Sequence, residues 1–126
     1  MNHITSPDTS DAGIERLIQA KGKTAARVTP ADIEANIASY FYFTAAQAAR
    51  AIDRTVAADS PLHLLTFCVL VLKNGYTVTG ESACASPENF DAEIGRRIAR
   101  ENAVQKIWPL LGFALKERLH TEGGAS

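Results

Sequence analysis

Apolar and polar positions change their period several times along this chain, and the clearest stretch lies between Leu62 and Trp108. From Leu62 to Leu72 it is almost continuously apolar, and after Lys73-Asn74-Gly75 it resumes as Tyr-Thr-Val-Thr-Gly-Glu-Ser. Two β-rich runs around Asn-Gly read as an antiparallel hairpin, and Asn74-Gly75 predicts a two-residue type I′ turn. That register sets Lys73 opposite Tyr76, Val71 opposite Val78, Val69 opposite Gly80 and Phe67 opposite Ser82. This mostly apolar set is expected to meet the helices. The other face carries Thr66, Cys68, Leu70 and Leu72 against Glu81, Thr79 and Thr77. It is half polar, yet too apolar at Leu70 and Leu72 to stay bare. A two-stranded sheet is marginal alone, so the pattern predicts cover by a helix or a second subunit.

Helical periodicity flanks the hairpin. Ser86-Pro87-Glu88-Asn89 reads as a helix start, with Ser86 as cap and Pro87 at the first position. Phe90, Ile94, Ile98, Val104, Leu111 and Leu115 then recur at helical spacing. Pro109 predicts a kink or restart, because it lacks an N–H and its ring clashes one turn back. Upstream, Ile14, Leu17 and Ile18 share a face in a short helix from Gly13 to about Lys21. Thr29-Pro30-Ala31-Asp32 is a second capped start. The face Ile33, Ile37 and Tyr40 extends that helix into the cluster Tyr40-Phe41-Tyr42-Phe43. The alanine-rich run from Thr44 to about Ala57 reads as helix, and Ser60-Pro61 ends it.

The fold class is therefore α+β: a two-stranded antiparallel hairpin packed on helices, with a long kinked C-terminal helix. Residues 13–120 are expected to form one domain. Residues 1–12 and 121–126 are polar or small and read as disordered tails. A domain of this size buries a modest core, and oligomerisation would add to it.

Thirteen Lys and Arg stand against fourteen Asp and Glu. This balance argues against a general nucleic-acid binder and against a strongly acidic mimic of one. The cluster Arg96, Arg97, Arg100 and Lys106 leaves a nucleic-acid-associated module as the alternative. The N-terminus lacks the pattern of a secretory signal, and the longest apolar run is too short to cross a membrane. Cys68 and Cys84 read as reduced thiols of a cytosolic protein, and the register sets them on opposite faces, unsuited to a disulfide.

Candidate chemistry is sparse. His3, His63 and His120 have no ligand spacing with the cysteines, and no phosphate loop or dinucleotide fingerprint is present. Cys84 near a helix start could be an activated thiol, but nothing places His63 beside it, and a structural thiol is the plainer reading. No metal, no cofactor and no catalytic set are expected. On a helical projection Arg97 and Glu101 fall inside the apolar sector of the long helix and can pair. A pair at the edge of a subunit interface is one explanation. An anion-binding pocket of Arg97, Arg100 and Lys106 is the other. Trp108 and the Tyr40–Phe43 cluster serve either as core packing or as stacking surfaces for a planar ligand. Asn89, Asn102 and Glu81 complete the candidate ligand-binding set.

The run Leu-Thr-Phe-Cys-Val-Leu-Val-Leu-Lys-Asn-Gly-Tyr-Thr-Val-Thr-Gly-Glu-Ser-Ala-Cys-Ala-Ser-Pro-Glu-Asn-Phe-Asp, with Glu-Ile-Gly-Arg-Arg-Ile-Ala-Arg-Glu-Asn-Ala-Val-Gln-Lys-Ile-Trp-Pro-Leu, resembles a family of small tailed-phage and prophage proteins of the gene forty-nine and gene sixty-six type. The resemblance runs from about Val28 to Leu119, and its most specific blocks are Gly80–Asn89 and Gly95–Trp108. Leu111-Gly112-Phe113 departs from it, since an acidic residue is expected before that glycine. The resemblance implies a phage origin and a role in the cytoplasm of an infected bacterium, and it brings no catalytic residues. By analogy with small phage accessory proteins, the expected function is non-enzymatic: a homo-oligomer that binds a small anionic ligand, such as a nucleotide signal, or a host protein, and so interferes with host defence.

Overall fold

The computed structural model describes residues 9–123. Of the expected disordered tails 1–12 and 121–126, residues 1–8 and 124–126 lie outside the described residues, while Asp11 and Ala12 open the first helix and Thr121 and Glu122 close the last. Eight regular elements follow one another: α1 Asp11–Ala20, α2 Pro30–Ala35, β1 Ile37–Thr44, α3 Ala45–Ala51, β2 Leu65–Leu72, β3 Thr77–Ala83, α4 Ala92–Gln105 and α5 Ile107–Glu122, with short 3-10 turns at Pro61–Leu64 and Pro87–Asn89. The α+β class holds. The sheet, however, has three antiparallel strands in the order β1-β2-β3. The extra strand is the aromatic cluster, expected to end a helix. Instead α2 stops at Ala35, and Asn36 caps it, donating to the Asp32 carbonyl. Four consecutive aromatic residues then suit a pleated strand better than a helix.

Local signals fix several ends. Thr29 and Asp32 form a reciprocal capping box, as do Thr44 and Gln47. Helix α3 is shorter than expected and ends at Ala51; Asp53 takes a positive φ of 59° just beyond it. Helix α4 starts later than expected, at Ala92, because Asp91 rather than Ser86 provides the cap and accepts from Ile94 N at 2.9 Å. Ser86 makes no side-chain cap bond, and the segment after it is only a 3-10 turn. The helix breaks at Lys106, three residues before Pro109. The proline ring crowds the carbonyl four residues back, at Gln105, where α4 ends. Pro109 itself sits in the first turn of α5, where its missing N–H costs little.

The hairpin register is one residue away from the expected one. Leu70 pairs with Val78, Val69 with Thr79, Cys68 with Gly80 and Phe67 with Glu81. The turn holds three residues: Leu72 N donates to Tyr76 O, and only Gly75 takes a positive φ, of 89°. Asn74 stays outside that region, and its side chain accepts from Tyr76 N at 2.9 Å. A slip of one position exchanges the two faces of a strand. The buried face is therefore Thr66, Cys68, Leu70 and Leu72 with Val78 and Gly80, not Phe67, Val69 and Val71. Both cysteines are free, Cys68 buried and Cys84 half-buried.

Helix α4 lies over β3 and β2. Its buried face is Gly95, Ala99 and Ala103, joined near its end by Val104. Ile94 and Ile98, expected in the core, are 55 % and 46 % exposed. The core gathers Ile33, Cys68, Leu70, Leu72, Val78, Ala99, Ala103, Val104 and Ile107, with Trp108 and Leu111 packed against it. The opposite sheet face carries Phe41, 58 % exposed, and a stacked pair of Phe43 and Phe67 with centroids 5.4 Å apart.

Candidate functional site

The sequence-derived residues do not converge on one pocket. Arg97 and Arg100 share a cleft of about 420 Å³ with Asp11, Ile33, Glu34 and Glu101. Neither arginine is uncommitted: Arg100 binds Glu34 at 2.8 Å, and Arg97 pairs with Glu93 at 3.5 Å. Arg97 is not in an apolar stripe and does not pair with Glu101; its side chain is 80 % exposed. Glu101 instead accepts from the Gln105 amide at 3.0 Å. With three carboxylates lining the cleft beside two guanidinium groups, it has no net pull on an anion.

The remaining candidates scatter. Asn102 donates to the Glu81 carbonyl at 2.9 Å on the far side of α4, where it ties the helix to the outer strand. Asn89 lies in the 3-10 turn and donates its N–H to the Ser86 carbonyl. Lys106 is exposed at the break between α4 and α5. Trp108 is half-buried and donates its indole N–H to Asp11 at 3.1 Å. The basic run Arg96–Lys106 is thus divided among different faces and partners and makes no continuous basic surface.

A second cleft, of about 190 Å³, has a different character. Its lining includes Tyr42, Phe43, Thr66, Gln47, Phe90 and Arg96. Strand β1 supplies Tyr42 from its α4 face, whereas the Phe43 ring stacks on Phe67 on the opposite face; β2 supplies Thr66, and the segment before α4 supplies Phe90. Helix periodicity turns Arg96 and Arg100 toward β1, on the opposite side of α4 from Ile98 and Asn102. No carboxylate lines this cleft, and among the described residues none pairs with Arg96. Burial pushes the Tyr42 hydroxyl above its ordinary pKa, so it stays a neutral donor and acceptor. Burial also pushes the Cys68 thiol up, which keeps it protonated and inert. The Tyr40–Phe43 cluster, expected as core packing or a stacking surface, supplies Tyr42 here, and Gln47, Thr66 and Phe90 join it without a sequence signal of their own. With the cluster read as a strand, alternation separates Tyr40 and Tyr42 from Phe41 and Phe43. That signal could have set the two tyrosines on the α4 face.

Among the described residues no group of His, Cys, Asp and Glu is arranged to hold a metal ion, and no helix is long and apolar enough to cross a membrane. The pattern of the phage protein (N4 Gp49/phage Sf6 gene 66) family matches residues 28–119. The chain belongs to that family. The match takes in the whole sheet, α4 and most of α5, and with them every residue of the Arg96 cleft; α1 falls outside it. No curated protein and no solved structure matches the chain.

Proposed function

We propose that this phage protein is a non-enzymatic accessory factor of the infected host cytoplasm that binds a small planar anion, such as a nucleotide, between β1 and α4. The supporting observation is Arg96, a guanidinium with no carboxylate partner among the described residues, at the rim of an aromatic-lined cleft. Tyr42 and Phe90 offer a face for a ring, Arg96 offers a charged donor for a phosphate, and Gln47 and Thr66 offer polar edges. At about 190 Å³ the cleft suits one ring and its anionic group rather than a dinucleotide.

The half-open sheet face with Phe41 supports a homo-oligomer, or a host protein, as the cover for the rest of the surface. Sedimentation at about ten micromolar, a range that saturates interfaces of nanomolar affinity, tests the oligomer, and a clean monomer there rejects it. For the ligand, calorimetry with adenosine 5′-monophosphate compares Arg96→Ala with Arg97→Ala. Losing one charged hydrogen bond corresponds to about 10–150-fold in affinity. The expected result is a loss of at least the lower factor for Arg96→Ala only. Equal behaviour of the two variants, or no binding by the unaltered protein at millimolar nucleotide, rejects the site.

A further inference from the structure

Helix α1 is held to the body by polar contacts more than by packing. Only Gly13 in it is buried, while Ile14 and Leu17 remain 44 % and 54 % exposed. The Glu15 carboxylate takes two bonds from the Arg27 guanidinium, at 2.5 and 2.7 Å, which fasten the helix to the segment leading into α2. At its first turn Asp11 reaches the body directly. Its carboxylate accepts from Trp108 Nε1 at 3.1 Å and stands 3.4 Å from the Gln105 amide nitrogen.

Asp11 also lines two clefts. One, of about 220 Å³, is walled by Ile14, Ile18, Val28, Pro30 and Trp108; the other is the 420 Å³ cleft of Arg97 and Arg100. Both have α1 as one wall and the family-matched body as the other. Removing α1 would join them into one trough in the size range of small-molecule sites. Its floor would hold an apolar stretch at Val28, Pro30 and Trp108, the Trp108 N–H, the N–H of Gln105 that does not serve Glu101, and beyond them Arg97 and Arg100 with their partners Glu93 and Glu34. Glu15 and Asp11, two of the acids around it, would leave with the helix.

We propose that α1 is a displaceable lid, and that the Asp11 carboxylate occupies the seat of an anionic ligand at Trp108 and Gln105. The ligand class is a small aromatic acid: a planar ring against Trp108, Val28 and Pro30, and a carboxylate in place of that of Asp11. This site is separate from the Arg96 cleft, so the two readings stand or fall independently.

Trp108 is the single tryptophan of the chain, so its fluorescence reports this seat alone. The test titrates benzoate into the full-length protein and into Asp11→Ala, following Trp108 emission. The lid predicts at least tenfold tighter benzoate binding by Asp11→Ala, with that gain lost in the double variant Asp11→Ala, Gln105→Ala. Asp11→Asn keeps the shape and serves if Asp11→Ala misfolds; its weaker acceptor should yield the seat at lower benzoate than the unaltered protein. Arg96→Ala should leave the titration unchanged. Equal benzoate affinity in the unaltered protein and the Asp11 variants overturns the proposal, as does a gain that survives Gln105→Ala.

Discussion

Gly80 lies directly against Ala99, strand backbone to helix backbone. A Cβ on Gly80 would overlap the Ala99 carbonyl oxygen and the Ala103 amide nitrogen, and would come within 2.9 Å of the Asn102 carbonyl carbon. The obstructing atoms are backbone, which cannot swing aside as a side chain can. Gly80→Ala must therefore lift α4 from β3, opening the core around Cys68, Leu70 and Val78. The expected loss is about 2–4 kcal/mol, the upper range for overpacking. Urea denaturation measures it, and a change within about 0.5 kcal/mol would mean that α4 does not approach so closely.

The same contact explains which parts of the fold were legible. Thr29-Pro30-Ala31-Asp32 and the two runs around Asn74-Gly75 carry their instructions locally, in caps and a turn: the capped start of α2 and the antiparallel hairpin formed where they were expected, although α2 ended at Ala35 and the turn took three residues. The face of α4 was not legible, because a hydrophobic stripe ranks Ile94 and Ile98 above Gly95, Ala99 and Ala103. The structure uses the small residues to bring backbone to backbone over Gly80, a tertiary demand with no local signature. The register failed for a related reason: Asn-Gly serves a two-residue turn and a three-residue turn ending in a glycine bulge equally well. The candidate site inherited both errors. The true face of α4 leaves Arg97 in solvent, and the third strand sets Tyr42, but not the Phe43 ring, on the side of Arg96.

Gly75 provides a test of the turn. Its φ of 89° lies in the left-handed region, and no neighbouring atom crowds the position of a Cβ. The cost of a side chain there is therefore backbone strain rather than a clash. Gly75→Val should destabilise by roughly 1–3 kcal/mol. Gly75→Asn should cost less, since Asn tolerates positive φ best among the other residues. Thermal unfolding of the two variants decides it. Equal melting points would point to a different turn.

The Glu15–Arg27 pair makes the docking of α1 depend on pH. The hydrogen bond from Arg27 holds the Glu15 carboxyl at about 2, below its ordinary 4.5. A depressed carboxylate pKa contributes stability that is fully present above the unfolded value and is lost as pH falls toward the folded one. The contribution should thus be intact above about pH 4.5 and disappear toward pH 2. Glu15→Gln should be the less stable protein at neutral pH, and its deficit should shrink across that window. Hydrogen exchange at α1 amides, compared between the two proteins from pH 6 downward, reads this; a deficit independent of pH would remove the ion pair from the account.

Exchanging Arg97 and Glu101 separates a structural from a binding role for that part of α4. In the native arrangement Arg97 pairs with Glu93 four residues earlier, and Glu101 accepts from Gln105. The exchange places a glutamate at 97, four residues after Glu93, so an attractive pair becomes a repulsive one on an exposed surface. Each sign of such a pair is worth about 0.2–0.5 kcal/mol, and the lost Gln105 bond adds a similar exposed-surface effect. The total expected loss is therefore below about 1.5 kcal/mol, visible as a small drop in melting temperature. Nucleotide binding at the Arg96 cleft should not change, because neither exchanged residue lines it. Calorimetry on the exchanged protein checks the second half. A tenfold or greater loss of nucleotide affinity would move the anion site from Arg96 to the Arg97–Arg100 cleft, which Glu34 lines.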